Sequence, residues 1–289
     1  MDRASSIRES SKLAPRVWLD CLDYGCRLFA PGVDIWGRAD NHISVVGQVQ
    51  KLLRSDVIQV RVDNFYRTLA LTDPELIASI MDGRPSSTLR MCLRSSTGDE
   101  VTQRVLAGLS ALFPNLPLVI VIDGAAKWLR WAATLAGSEG DSGVTVELVD
   151  RASVHLADLL RRLSDTAVSG MVIDLGSPVS DTLSEELGLN RPLLNVAKHY
   201  KWETGVLIDN DPSDLGEFAV DLVLGDGTEF APHNLDGGAP VISNTLMRSF
   251  WIDDTSPSLP NRGLFYGKVP EDSAPERVLA RLAGLRAAN

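Results

Sequence analysis

Cysteine is scarce in this chain, with three residues among 289. An odd number of cysteines in a chain of this length does not form a disulfide framework. Cys21 and Cys26 lie five positions apart, a spacing that zinc ligands do not use, and Cys92 stands alone. The sequence therefore predicts no disulfide-stapled domain, no iron–sulfur centre and no residue set that serves as a metal centre through cysteine.

Long apolar runs and excess positive charge are also lacking. No run reaches the roughly 18 apolar residues that cross a bilayer, and the polar N-terminus has no apolar signal-peptide core. The formal net charge is −10, which disfavours nucleic acid and anionic membranes as partners. Together these features, with a composition typical of bacterial proteins, predict a cytoplasmic metabolic protein whose partner is a small-molecule substrate.

Familiar catalytic signatures are missing as well. The chain has no G-x-x-x-x-G-K-[ST], G-x-G-x-x-G, G-x-S-x-G or H-E-x-x-H motif. ATP hydrolysis, dinucleotide redox chemistry and serine hydrolysis at a nucleophile elbow are therefore disfavoured.

The order of segments is the most informative positive feature. Residues 1–12 are predicted to be a flexible tail, and residues 13–289 a single domain. Within it, residues 13–55 form a helical extension with helices over Val17–Phe29 and Asn41–Leu53, and residues 56–289 form βα repeats. The extension carries Trp18 and Trp36, and we expect it either to plug the bottom of the domain or to form a homodimer interface.

Eight short β-branched or apolar runs alternate with helical segments after residue 56. The strand candidates are Val57–Val62, Leu89–Leu93, Leu118–Ile122, Val144–Leu148, Gly170–Ile173, Gly205–Ile208, Val220–Leu224 and Pro240–Ser243. Helices are predicted from Thr72-Asp73-Pro74 onward and over Thr97–Leu112, Ala125–Leu135, Ser153–Leu163, Ser180–Leu187 and Glu276–Ala287. This alternation predicts an α/β fold of the (β/α)8 TIM-barrel type. The alternative is a doubly wound parallel sheet, although its usual glycine-rich turn is missing after the first strand.

Aspartates follow several of these strands. Asp123, Asp174 and Asp209 are the predicted catalytic residues, because parallel strands of a barrel end at one rim. Crowded carboxylates raise one another's pKa, and a carboxyl group that keeps its proton at neutral pH is a useful acid. The alternatives are that these aspartates only cap the following helices, or that they hold Mg²⁺.

Four further residues are predicted to bind substrate. Arg94 follows the second strand candidate and would hold a substrate carboxylate. Asp63 and Asn64 follow the first strand, and Lys127 follows the third.

Two stretches resemble a known superfamily. Ala152–Ser180 and Leu194–Asn244, which includes GVLID, VDLVLGD and PVISN, are similar to segments of the uroporphyrinogen decarboxylase and cobalamin-independent methionine synthase superfamily. The resemblance implies a barrel with lyase chemistry and places Asn244 at the substrate site. The methyltransferase members carry a His-x-Cys zinc pair where this chain has Asp209-Asn210-Asp211, which argues against zinc-dependent methyl transfer.

Enolase-type barrels offer a second comparison. They place three acids after successive strands to hold Mg²⁺, an order that Asp123, Glu147 and Asp174 match. The predicted function is therefore acid–base chemistry of the lyase or decarboxylase type on a small carboxylated metabolite. The alternatives are a Mg²⁺-dependent lyase or isomerase of the enolase type, and a non-catalytic binding or scaffold protein.

Overall fold

The computed structural model describes residues 6–80, 84–137, 144–176, 182–209, 220–225, 240–253, 260 and 262–287. The helices in these ranges are α1 (Ile7–Leu13), α2 (Leu22–Phe29), α3 (Ala39–Leu53), α4 (Asp63–Thr72), α5 (Pro74–Ser79), α6 (Pro85–Leu93), α7 (Ser96–Leu112), α8 (Ala125–Leu135), α9 (Val146–Arg162), α10 (Leu183–Leu189), α11 (Arg191–Tyr200), α12 (Arg248–Ile252) and α13 (Pro275–Ala287). The strands are β1 (Arg16–Asp20), β2 (Ile58–Arg61), β3 (Leu118–Asp123), β4 (Gly170–Asp174), β5 (Glu203–Ile208), β6 (Leu222–Gly225), β7 (Val241–Ile242), β8 (Asn244–Thr245) and β9 (Leu264–Lys268).

All of these strands pair in parallel, which confirms an α/β fold. Six form one sheet in the order β2-β3-β4-β5-β6-β7, and three form a second sheet in the order β1-β9-β8. The six-stranded sheet follows chain order without a reversal, as right-handed strand–helix–strand connections produce. Asp123 and Asp174 are register partners at the carboxyl ends of β3 and β4.

The two sheets are joined by hydrogen bonds near β1 and β2. The Asp56 N–H donates to the Val17 carbonyl at 2.8 Å, and the Leu19 N–H donates to Ser55 Oγ at 3.1 Å. One apolar cluster contains side chains from both sheets, among them Trp18, Val119, Val121, Val172, Leu207, Leu224, Leu264 and Tyr266. The faces that carry these residues therefore pack against each other.

Helices cover the other face of the larger sheet. In β3, Ile120 and Ile122 pack with the residues of the surrounding helices, whereas Val119 and Val121 belong to the cluster shared by the sheets. Such strands are buried on both faces, which explains why they are almost continuously apolar. Among the described residues, no helix is long and apolar enough to span a membrane.

The N-terminus corrects one prediction. Residues 7–13 form helix α1 rather than part of a flexible tail, and Ile7 is buried. The Glu203 carboxylate, at the amino end of β5, accepts hydrogen bonds from Ser6 Oγ at 2.7 Å, Ile7 N at 2.8 Å and Arg8 N at 2.7 Å. A carboxylate at a helix N-terminus accepts hydrogen bonds from the free N–H groups and interacts favourably with the positive end of the helix dipole. The sequence could not identify Glu203 as the partner of α1, because Glu203 lies far along the chain.

Replacing Glu203 with Ala should lower the free energy of unfolding by about 1–3 kcal/mol, because the N–H groups of Ile7 and Arg8 lose their acceptor. Urea denaturation of the whole chain measures this. Glu9→Ala is the matched control, since the Glu9 carboxylate lies on the same helix and forms an exposed ion pair with Lys12. Equal denaturation midpoints for the two variants would show that Glu203 does not hold α1.

Two predicted strands are helical instead. Leu89–Leu93 lies in α6, which starts at Pro85, and Val144–Leu148 overlaps the start of α9. In the second case Thr145 is the N-cap, and its side chain accepts from Leu148 N at 3.4 Å. β-Branched residues at a helix start were thus mistaken for a strand.

Three other strands, β1, β8 and β9, were missed. Val17–Phe29 was predicted as one helix, but Arg16–Asp20 is β1 and the helix α2 begins only at Leu22. A fully buried strand lacks the alternation that separates it from a buried helix. Strand β9 was also missed. Trp18 lies in β1, so it belongs to a strand and not to a helical extension.

Candidate functional site

Six charged side chains lie at the carboxyl ends of the strands, on the faces of the two sheets that pack against each other. These faces are called the inner face below. Side chains alternate along a strand, so a residue two positions after an inward-facing one also faces inward. The pairs that follow this rule are Trp18 and Asp20, Gln59 and Arg61, Val121 and Asp123, Val172 and Asp174, Leu207 and Asp209, and Tyr266 and Lys268. Hydrophobic residues thus fill the interior, and charged residues follow at its end.

The centre of this site is a lysine between two aspartates. Lys127 Nζ lies 2.9 Å from Asp123 Oδ1 and 2.8 Å from Asp174 Oδ1. Lys127 lies in the first turn of α8, which follows β3 directly. The end of β3 therefore supplies Asp123, and the start of α8 supplies Lys127. Burial lowers the pKa of Lys127, but the two carboxylates outweigh burial and raise the pKa above its ordinary value. Lys127 is therefore an ammonium at neutral pH.

Arg61 on β2 is the second cation of the site. Its Nη1 lies 2.9 Å from Asp174 Oδ2 and 3.8 Å from Asp123 Oδ1, and its Nε lies 3.6 Å from Asp20 Oδ2. Burial raises the pKa of Asp174, but Arg61 and Lys127 outweigh it and lower that pKa below the usual range. Burial raises the pKa of Asp20, although Arg61 and Lys268 oppose the rise.

Arg67 on α4 is the third cation, and it holds Asp123 from the other side. Its Nη2 lies 2.7 Å from Asp123 Oδ2, and its guanidinium carbon lies 4.5 Å from the Trp128 ring centroid. Stacking on an indole fixes the guanidinium plane. Asp123 therefore has two cations on its two oxygens.

Asp63 lies beneath these pairs, at the start of α4. It is 1% exposed, and its Oδ1 accepts the Asp123 N–H at 2.9 Å. Burial and the neighbouring Asp123 charge raise the pKa of Asp63 to about 7. The raised pKa that crowding was predicted to give to the strand-end aspartates thus occurs at Asp63, whereas the pKa of Asp174, a predicted catalytic residue, is lowered.

The predicted catalytic aspartates lie along one edge. Asp123 and Asp174 end adjacent strands, and Asp209 follows β5, the next strand, where it is exposed to solvent. Capping was the alternative for these aspartates. The N-cap of α8 is Gly124, and Asn190 Oδ1 accepts the Ala125 N–H at 3.0 Å, so the capping side chain of that helix is Asn190 and not Asp123.

The predicted substrate-binding residues divide into two groups. Asp63 and Lys127 lie in the site, and Asn64 follows Asp63 at the start of α4. Arg94 is the C-cap of α6 and is exposed. The prediction that Arg94 follows a strand is wrong, because the segment before it is a helix. Asn244 donates from Nδ2 to the Leu264 carbonyl at 3.2 Å, at the amino end of β9 and away from Lys268.

Four site residues were missed: Asp20, Arg61, Arg67 and Lys268. Arg61 stands at an inward position of a strand that was predicted, so alternation with Gln59 was a usable signal. Arg67 lies four residues after Asp63, a spacing that places both on one side of a helix. Asp20 had no usable signal once β1 was taken for a helix.

Metal binding has little support in this geometry. Among the described residues, no group of three or more His, Cys, Asp or Glu side chains is arranged to hold a metal ion. Glu147, the middle acid of the enolase-type order, is exposed in the first turn of α9.

No family model matches the chain, and no curated protein matches it either. The resemblance to the uroporphyrinogen decarboxylase and methionine synthase superfamily therefore stays a prediction.

A large groove lies at the opposite end of the sheet. It has a volume of about 1690 Å³, and its lining includes Phe113, Leu194, Lys198, Tyr200 and Glu203. These residues lie near the amino ends of β3, β4 and β5, whereas the charged groups converge at the carboxyl ends. In parallel α/β proteins ligands bind at the carboxyl ends of the strands, so we assign chemistry to the charged site.

Proposed function

We propose that this protein is an acid–base enzyme of the lyase or decarboxylase type that acts on a small carboxylated metabolite. The observation that carries the proposal is the Lys127 ammonium held at 2.9 and 2.8 Å from two buried carboxylates at the ends of adjacent parallel strands. Shifted pKa values caused by burial and by specific charged partners, as at Lys127 and Asp174, are typical of catalytic groups.

Each residue has a role in this proposal. Arg61 is 24% exposed, so its guanidinium is partly open to a substrate carboxylate while its Nη1 stays on Asp174. In an elimination, Asp174 or Asp123 removes the proton from the carbon next to the substrate carboxylate, and Lys127 donates a proton to the leaving group as its bond to carbon breaks. In a decarboxylation, the bond to the carboxylate carbon breaks, CO2 leaves, and Lys127 donates its proton to the carbon that keeps the electron pair. Solvent then returns a proton to Lys127. The charged Lys127 argues against a Schiff-base mechanism, which requires a neutral amine.

We also propose that the two sheets form one closed (β/α)8 barrel, in which β7 and β8, separated by Ser243 alone, count as one strand. The hydrogen bonds between the β1 and β2 segments, the shared apolar cluster and the uninterrupted strand order support this. A doubly wound sheet would reverse its strand order at a switch point. In a barrel, Asp20, Arg61, Asp123 and Asp174 would share one rim, where barrel enzymes build their active sites.

The test is proton NMR in D2O on pools of small mono-, di- and tricarboxylates incubated with the protein. We expect at least one compound to exchange hydrogen next to its carboxylate or to lose CO2, and we expect Lys127→Met to slow this by two or more orders of magnitude, the range of acid–base catalysis. The Lys12→Met variant, at an exposed ion pair, is the matched control and should keep the full rate. Turnover that Lys127→Met leaves unchanged would contradict the assignment.

A non-catalytic binding or scaffold role is the competing function. The observation that favours it is the complete pairing of Asp123, whose two oxygens each contact a cation within 2.9 Å. Buried ion-pair networks also serve structure alone. Stabilisation by a carboxylate without any turnover would favour this role.

A further inference from the structure

We infer that Asp63 is a positioning residue, which holds Asp123 through its backbone while Arg67 holds it through its carboxylate. Asp63 Oδ1 accepts the Asp123 N–H at 2.9 Å, and Arg67 Nη2 lies 2.7 Å from Asp123 Oδ2. Both residues belong to α4, four positions apart. One helix therefore fixes the catalytic aspartate at two points.

The backbone contact matters because Asp123 ends β3. Gly124 follows it, and the Gly124 N–H donates to the Asp174 carbonyl at 2.8 Å. The turn from β3 into α8 thus has two anchors, Asp63 on one side and β4 on the other. Since α8 carries Lys127, this turn also sets the position of the ammonium relative to both carboxylates.

A third contact joins α4 to α8. The Arg67 guanidinium lies over the ring of Trp128, the residue next to Lys127. Asp63 thus contacts Asp123, Asp123 contacts Arg67, and Arg67 contacts Trp128 on the helix that carries Lys127. Removing the first contact should therefore disturb the others.

The protonation of Asp63 fits this role. The charged groups that face it are Asp123 on β3, Arg67 on its own helix and Arg61 on β2. Burial and Asp123 favour the neutral acid, and the two arginines favour the anion. In either form Asp63 keeps an oxygen that accepts the Asp123 N–H, so asparagine should replace it and alanine should not.

The test is hydrogen exchange and proton–nitrogen NMR of the Asp123 amide in the full chain. In the wild type we expect a protected amide, whose proton shift follows pH with a midpoint near the Asp63 pKa of about 7. In Asp63→Asn we expect protection without that titration. In Asp63→Ala we expect exchange faster by about ten- to a hundredfold, as the loss of one buried hydrogen bond produces.

The arginine resonance separates positioning from a merely structural role. In Asp63→Ala the Arg67 guanidinium signal should shift, and in Asp63→Asn it should stay at its wild-type place. Asp73→Asn is the matched control, because Asp73 caps the neighbouring helix α5 through its own side chain and is exposed. If Asp63→Ala does not fold, a folded Asp63→Asn with a protected amide still supports the inference.

Three results would overturn it: an unprotected Asp123 amide in the wild type, equal protection in Asp63→Ala, or failure of Asp63→Asn to fold. The inference rests on the proposed function only in calling Asp123 catalytic. None of these measurements uses turnover, so a positioning Asp63 in a protein without activity would be recognised as such.

Discussion

Replacing Asp123 with Asn should lower the free energy of unfolding by about 3 kcal/mol. Asp123 is 2% exposed, and the substitution removes the charge that pairs with Arg67 and Lys127. Loss of one partner of a buried pair leaves the other charges uncompensated in a poorly solvated place. This value is the lower end of the range known for removing one partner of a buried ion pair, because Arg67 and Lys127 both keep some contact with solvent.

Chemical denaturation at pH 7 measures this effect. The control is Asp40→Asn, which breaks an exposed pair with Arg104 and should leave the denaturation midpoint unchanged within error. If turnover is found, Asp123→Asn should also lower it by two or more orders of magnitude. A variant as stable as the control would mean that the ion pairs around Asp123 contribute nothing to folding.

Replacing Lys127 with Met should destabilise the protein more at high pH than at low pH. The ammonium helps to keep the pKa of Asp174 below its usual range, so in the wild type this aspartate stabilises the fold above the unfolded-state pKa, and that contribution is lost only as pH falls through the lower folded value. Without Lys127 the pKa of Asp174 should rise, while Arg61 still opposes the effect of burial. The destabilisation should therefore be constant well above the pKa of Asp174 and should shrink as pH falls through that pKa.

The measurement is the difference in unfolding free energy between wild type and Lys127→Met at pH 3, 5 and 7. We expect about 2 kcal/mol at pH 7, nearly the same at pH 5 and a clearly smaller difference at pH 3, since a rise of about one pKa unit corresponds to about 1.4 kcal/mol that is lost once the aspartate is protonated. Lys12→Met serves again as the control and should show no such trend. A difference that is constant across pH would show that Lys127 does not set the ionisation of the aspartates.

The sheet was predictable wherever strands are apolar and bounded by polar residues. Leu118–Ile122 and Gly170–Ile173 satisfy both conditions, and each is a strand in the structure. The sequence failed where burial is complete and the next element follows within two residues, as at Arg16–Asp20 before α2. No local pattern separates a buried strand from a helix there.

The acids of the site were predictable, but their partners mostly were not. Parallel strands bring their carboxyl ends together, so Asp123 and Asp174 were expected at one rim. They are adjacent because Val144–Leu148, predicted as a strand between them, overlaps helix α9 instead. Arg61 and Arg67 act across strands and helices at distances that depend on packing. The error at Arg94 has the same origin, since its role depended on a strand that is helix α6.

The contact between α1 and Glu203 has a consequence for the order of folding. Ile7 and Glu203 are separated by 196 positions, so α1 cannot dock until β5 has been synthesised. Contacts this distant in sequence close a long loop and form late. We expect α1 to be the last of these elements to gain protection in pulsed hydrogen exchange during refolding, and α1 protection as early as that of β3 would contradict this order. Nascent chains that stop before β5 would therefore leave the Ile7 side of α1 without its docking site.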